Sequence, residues 1–299
     1  KWRNFMKKKL NCDFAKERSN EAQVVASNLE AILKSNSYKL AHEDLELLNT
    51  DEMRGVRMLL EITKPEQAIE KENIISTVII FGGVHISEEI TSKRRLDETS
   101  KLLEKDPKSI LLIQKVKRYK NLYSMSHYYS AARELSKLIS IETKLERPHA
   151  HVIVTGGGPG IMEAANRGAF DAGCKSIGLN ISLPNEQHPN SFITPGLCFK
   201  FNYFAMRKFH FVMRSEAAVF FPGGFGTLDE LFELLTLRQT GMKKNIPIIL
   251  FGRDYWNKVI NFEYLCDMGL IEEKHLSIFK YADSANEAWA LIKKFNNSN

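Results

Sequence analysis

Ile74-Ile75-Ser76-Thr77-Val78-Ile79-Ile80-Phe81-Gly82-Gly83 is a short apolar, β-branched run that ends in two glycines. Such a run marks a strand buried on both faces and the turn after it, as parallel sheets require. Comparable runs recur at 151–155, 176–179, 217–221 and 246–251. Helical patterns separate them over 126–140, 161–172, 203–214 and 228–240, and a closing helix is expected over 285–295. This alternation predicts an α/β fold with a doubly wound, mostly parallel sheet and helices on both faces. Residues 13–72 read as helical, with Val24, Val25, Leu29, Ile32 and Leu33, then Leu45, Leu48, Met58, Leu59 and Ile62, at helical spacing. Residues 1–73 are therefore expected to form a helical extension that packs on the main domain or helps form an oligomer. Residues 74–299 are expected to form that domain, with 93–125 a charged helical insertion in its first crossover.

Composition excludes several classes. Of 299 residues, 43% are hydrophobic and 26% charged, which rules out a wholly disordered chain, a collagen or a small disulfide scaffold. The net charge is +6, and its excess lies in 74–150, notably at Lys115, Lys117, Arg118 and Lys120. That cluster reads as a solvated helix face in preference to a phosphate-attracting rim or a nucleic-acid patch, and no nucleic-acid partner is expected. Cys12, Cys174, Cys198 and Cys266 form no CxxC pair, so reduced thiols and a cytoplasmic location are expected. His149 and His151 would share a face on a strand but lack a third ligand nearby, so no metal site is expected. No apolar run reaches the roughly 18 residues of a membrane span, and the basic start lacks a signal-peptide core.

Two glycine loops carry the candidate chemistry. Thr155-Gly156-Gly157-Gly158-Pro159-Gly160-Ile161-Met162-Glu163 joins a strand to a helix, where glycines admit an anion to the helix N–H groups. The same loop can equally serve close packing alone. It is not the dinucleotide fingerprint, because Ile161 stands where the third glycine belongs and no carboxylate follows the next strand. Pro222-Gly223-Gly224-Phe225-Gly226-Thr227-Leu228-Asp229-Glu230 is the stronger signal, with Thr227 expected to cap the next helix and Asp229 and Glu230 in its first turn. Acidic residues there also answer to the macrodipole alone. Upstream, Arg207 and Lys208 interrupt an aromatic, apolar helix, and each is either a snorkelling surface group or a ligand.

Together the first loop, Met206-Arg207-Lys208 and the second loop resemble the LONELY GUY (LOG) family of Rossmann-like phosphoribohydrolases, also labelled lysine decarboxylase-like. The resemblance covers about 74–290, with its long 183–190 loop more like the larger bacterial branch. It implies a nucleotide-binding catalytic domain that cleaves the N-glycosidic bond of a nucleoside 5′-monophosphate, AMP-like or a cytokinin riboside monophosphate, releasing base and ribose 5-phosphate. It implies Arg207 and Glu230 as the catalytic pair. Gly157, Gly158, Gly160, Met206, Lys208, Gly223, Gly224, Gly226 and Thr227 would bind substrate or its phosphate, with Met206, Phe204 and Phe81 available to stack on the base. No cofactor, metal, nucleic acid or membrane is called for, and a homodimer or higher homo-oligomer is expected with the 203–214 helix near its interface. Two other readings are a non-catalytic nucleotide or molybdenum-cofactor carrier, and a pyridoxal-phosphate decarboxylase using Lys208.

Overall fold

The computed structural model describes residues 18, 20–184 and 188–297. The basic start, Cys12 and residues 185–187 of the 183–190 loop lie outside them. The chain divides into two compact units, 1–60 and 61–299.

In the first unit residues 20–34 are helical. The expected continuous helicity breaks after them. A 3-10 turn at Asn36–Tyr38 and a short helix at Leu45–Leu48 take its place. The physical reason is local: Ser35 Oγ accepts from Ser37 N–H, and Asp44 Oδ1 accepts from the N–H groups of Glu46 and Leu47. Short polar side chains that satisfy backbone donors in this way start helices afresh rather than continue them. Regular helix resumes at Arg54–Lys71.

The second unit is a sheet of seven parallel strands: β1 Thr77–Phe81, β2 Val152–Thr155, β3 Ser176–Ile181, β4 Cys198–Phe201, β5 Ser215–Phe220, β6 Ile248–Phe251 and β7 Phe279–Ala282. Their spatial order is β4-β3-β2-β1-β5-β6-β7. β1 is buried at every position. Its alternate residues enter two different cores, as the period of two demands. Val78 and Ile80 pack with the His127–Glu146, Ile161–Asp171 and Ala285–Asn297 helices. Ile79 and Phe81 pack with Phe211, Leu231, Leu234 and Trp256 from helices on the other face. The fold is therefore doubly wound. The insertion forms two helices, Glu89–Lys105 and Ile110–Ser124.

β4 and β7 carry no sequence signal of the kind that marks β1, because they are the two edges. β4 reads Cys-Phe-Lys-Phe with exposed and buried residues alternating, and β7 has Lys280 exposed. His149 and His151 both have positive φ (69° and 50°) and precede β2, so they do not share a strand face. His151 is buried, its Nε2 2.9 Å from Glu216. Among the described residues no helix is long and apolar enough to cross a membrane.

Candidate active site

Because β1 runs to β2 on one side while β5 returns to its other side, the order reverses between them. Ligands of open α/β sheets bind at the carboxyl ends of strands at such a reversal. A cleft of about 490 Å³ lies there, lined by Phe81 to Ile86 after β1 and by Pro222 to Thr227 after β5. The two turns are tied together: Gly83 N–H donates to Pro222 O (2.8 Å) and Phe221 N–H to Phe81 O (2.9 Å). Tyr255 Oη donates to Gly223 O (2.5 Å), holding the second turn from its far side.

The helix after this turn begins earlier than expected. It spans Phe225–Gln239 with Gly224 at the cap, so Thr227 lies inside the first turn and Glu230 enters the second. A glycine cap with no side-chain bond leaves first-turn N–H groups free for an anion. Thr227 is buried, its hydroxyl occupying the place a Cβ on Gly223 would take, while Gly224 and Gly226 face open space.

Glu230 is 6% exposed in the cleft wall. Burial pushes its carboxyl pKa up to about 7, against the pull of Lys208 and Arg207. Arg207 lines the same cleft, its Nε donating to Leu179 O within β3 (2.7 Å) and its guanidinium 5.3 Å from the Phe211 ring. Burial lowers the Arg207 pKa and the Glu230 charge opposes that. A Cβ on Gly156 would lie 2.5 Å from Arg207 Nη2, so the first glycine loop leaves room for the guanidinium.

The structure thus brings Arg207, Glu230, Gly223, Gly224, Gly226 and Thr227 to one cleft, with Phe81 and Phe204. It does not bring Gly157, Gly158, Gly160, Met206 or Lys208 into that lining. Lys208 Nζ instead binds Asp229 Oδ2 (2.7 Å) and Glu233 Oε2 (3.2 Å) on the neighbouring helix. Met206 packs on the core. Gly157 lies against Asn180, and Gly158 O accepts from Asn190 Nδ2 (3.0 Å). Gly160, at φ +74°, makes room for Gly83 O, so its contribution to the cleft runs through the β1 turn. Sequence reasoning did not single out Gly82, Gly83, His85, Met162 and Tyr255, nor Leu122 and Met125 of the insertion, as site residues. The two glycines closing β1 were the available signal.

A family model described as "Possible lysine decarboxylase" matches residues 162–292. A cytokinin riboside 5′-monophosphate phosphoribohydrolase of Arabidopsis thaliana is 28% identical over 52% of this chain and 72% of its own length. A probable enzyme of the same description from Oryza sativa subsp. japonica is 29% identical over 54% of this chain and 67% of its own. Among solved structures, the molybdenum-cofactor (Moco) carrier protein of Chlamydomonas reinhardtii aligns with 58% of this chain and 90% of its own at 20% identity and a TM-score of 0.40.

Proposed function

We propose that this chain, similar to the cytokinin riboside 5′-monophosphate phosphoribohydrolases and matched by the family model over 162–292, is a LOG-family enzyme that hydrolyses the N-glycosidic bond of a nucleoside 5′-monophosphate to free base and ribose 5-phosphate. One observation carries the reading: a buried carboxyl poised near neutrality, Glu230, stands beside Arg207 in the cleft whose floor is the Pro222–Thr227 turn. First-turn N–H groups at Phe225 and Gly226 and the Thr227 hydroxyl are the phosphate donors. Anchoring the phosphate there aligns the sugar for attack without further ordering at the reacting carbon. As the glycosidic bond breaks, charge develops on the ribose as an oxocarbenium-like cation, which ionised Glu230 stabilises. A carboxylate with this pKa also accepts a proton from the attacking water. Arg207 keeps Glu230 ionised and aimed, and its remaining N–H groups face the ribose phosphate. Phe81, Met125, Met162 and Phe204 offer the apolar wall for the base.

The decarboxylase reading does not fit these residues. A Schiff base needs a lysine in the cleft, and among the described residues none lines it; Lys208 is ion-paired with Asp229, at the cleft wall, and with Glu233. We also take the active form to be a homodimer, because Phe225 is 91% exposed and Phe204, Phe209 and Phe232 on the same two helices are exposed too.

The test is incubation with AMP, GMP, CMP, UMP and the matching nucleosides, with chromatography for base and ribose 5-phosphate. Release from a monophosphate, not from its nucleoside, and loss of about 100-fold or more in Glu230→Gln support the reading. No release, with AMP still raising the melting temperature, would make the chain a nucleotide carrier instead.

A further inference from the structure

A second cavity, of about 600 Å³, opens at the opposite end of the sheet, between the amino ends of β1, β5 and β6. Ser76, Ser215 and Ile246 mark those strand starts in its lining. Four cations from three chain segments converge there: Arg147, Arg214, Lys243 and Lys244, against two carboxylates, Glu66 and Glu216. The carboxylates are already engaged. Glu66 meets Arg214 Nη2 (2.5 Å) and His210 Nδ1 (3.3 Å), Glu70 Oε1 from outside the lining also meets Arg214 Nη2 (3.7 Å), and Glu216 Oε2 meets His151 Nε2 (2.9 Å) and Arg147 Nη1 (3.5 Å).

The lysines and one arginine nitrogen are left over. Among the described residues Lys243 Nζ donates to a neutral acceptor, Val212 O (2.5 Å), and forms no ion pair, and it lies partly buried. Lys244 has no ion-pair partner among the described residues. Arg214 Nε is buried without a hydrogen-bond partner among them. Helix carbonyl ends account for part of this basic charge, as the Lys243 contact with Val212 O shows. They account for neither Lys244 nor the unpartnered Arg214 Nε.

We propose that this cavity is a second anion site, remote from the cleft, for a small molecule with two or more adjacent phosphate groups. Lys243 and Lys244, neither in an ion pair among the described residues, call for a ligand of at least two negative charges. Their spread over several elements suits a chain of phosphates better than a single one, and the volume is that of ordinary small-molecule sites. The proposal does not depend on the reaction assigned to the cleft.

Calorimetry on the full chain at low salt, with inorganic tripolyphosphate and separately with orthophosphate as probes, tests it. Tripolyphosphate is expected to bind about tenfold or more tightly than orthophosphate, and to weaken at least about tenfold in Lys243→Gln/Lys244→Gln. Thr227→Val, in the cleft, should keep that binding. Lys244→Gln alone removes an exposed group, and its several-fold weakening carries the test should the double variant not fold. Equal affinity in wild type and Lys244→Gln, or no binding at all, overturns the proposal. So does loss in Thr227→Val with retention in the lysine variants, which would place the anion in the cleft.

Discussion

Glu230 shows how the candidate chemistry and the stability of the fold oppose each other at a single position. Its carboxyl is held near pH 7 by burial, so the folded state binds this proton more tightly than the unfolded chain. Stability is therefore lost as pH rises from the ordinary carboxylate range to about 7, by at most roughly 3 kcal/mol. Glu230→Gln is expected to raise the melting temperature at pH 8, to leave it nearly unchanged at pH 4.5, and to abolish turnover. Thermal denaturation at the two pH values checks this, and equal shifts at both would contradict it. In the proposed reaction the ionised form is the active one, so kcat/KM should rise with pH through an apparent pKa near 7. Lys208 lowers that pKa from outside the cleft. Lys208→Gln should move the rising limb to higher pH while KM for the monophosphate changes little, whereas a lysine that bound substrate would chiefly alter KM. That Arg207 and Glu230 share one cleft was legible only through the family motif. That Lys208 serves Asp229 and Glu233 was not, since neighbours in sequence point to different sides of a helix.

The two glycine turns diverge in what they do. The turn after β5 lines the cleft, while the 156–160 turn packs against Asn180, Asn190 and Gly83 and leaves room for Arg207. Gly160 combines a left-handed φ with backbone contact against Gly83 O, so an added methyl is both strained and crowded. Gly160→Ala should cost about 2 kcal/mol or more and, by shifting the β1 turn, lower kcat as well; denaturant titration and steady-state rates read the two effects. The start of the Phe225–Gln239 helix was misplaced from sequence because a glycine cap carries no side-chain signature, and Thr227 looked like the better one. The edge strands were invisible for a related reason. Half-exposed, four-residue segments with a lysine inside do not make an apolar run.

For the whole molecule, the strand order sets the cleft at the reversal between β1 and β5, and the second cavity at the far ends of the same strands. The exposed phenylalanines on the helices that carry Arg207 and Glu230 lead to an expectation for assembly. Sedimentation should give a dimer mass, and Phe225→Glu should shift it to monomer with a fall in activity; a wild-type monomer with full turnover would remove the dimer from the functional reading.

Periodicity and punctuation alone decide the α/β class here. An all-apolar β1 closed by Gly82-Gly83, followed by strands and helices in alternation, has few other ways to bury its surface. The same reading yields the helices of both faces and the insertion, because amphipathic spacing is local. Which glycines line the cleft, which carboxylate loses its solvent and which lysine is drawn off to a neighbouring helix were decided only by the tertiary structure. Burial and proximity depend on residues far apart in the chain: Phe81 meets Phe220, and Gly156 faces Arg207, through strand order rather than spacing. The Glu230 pKa is the clearest case, since desolvation is a property of the packed cleft and of no residue taken singly.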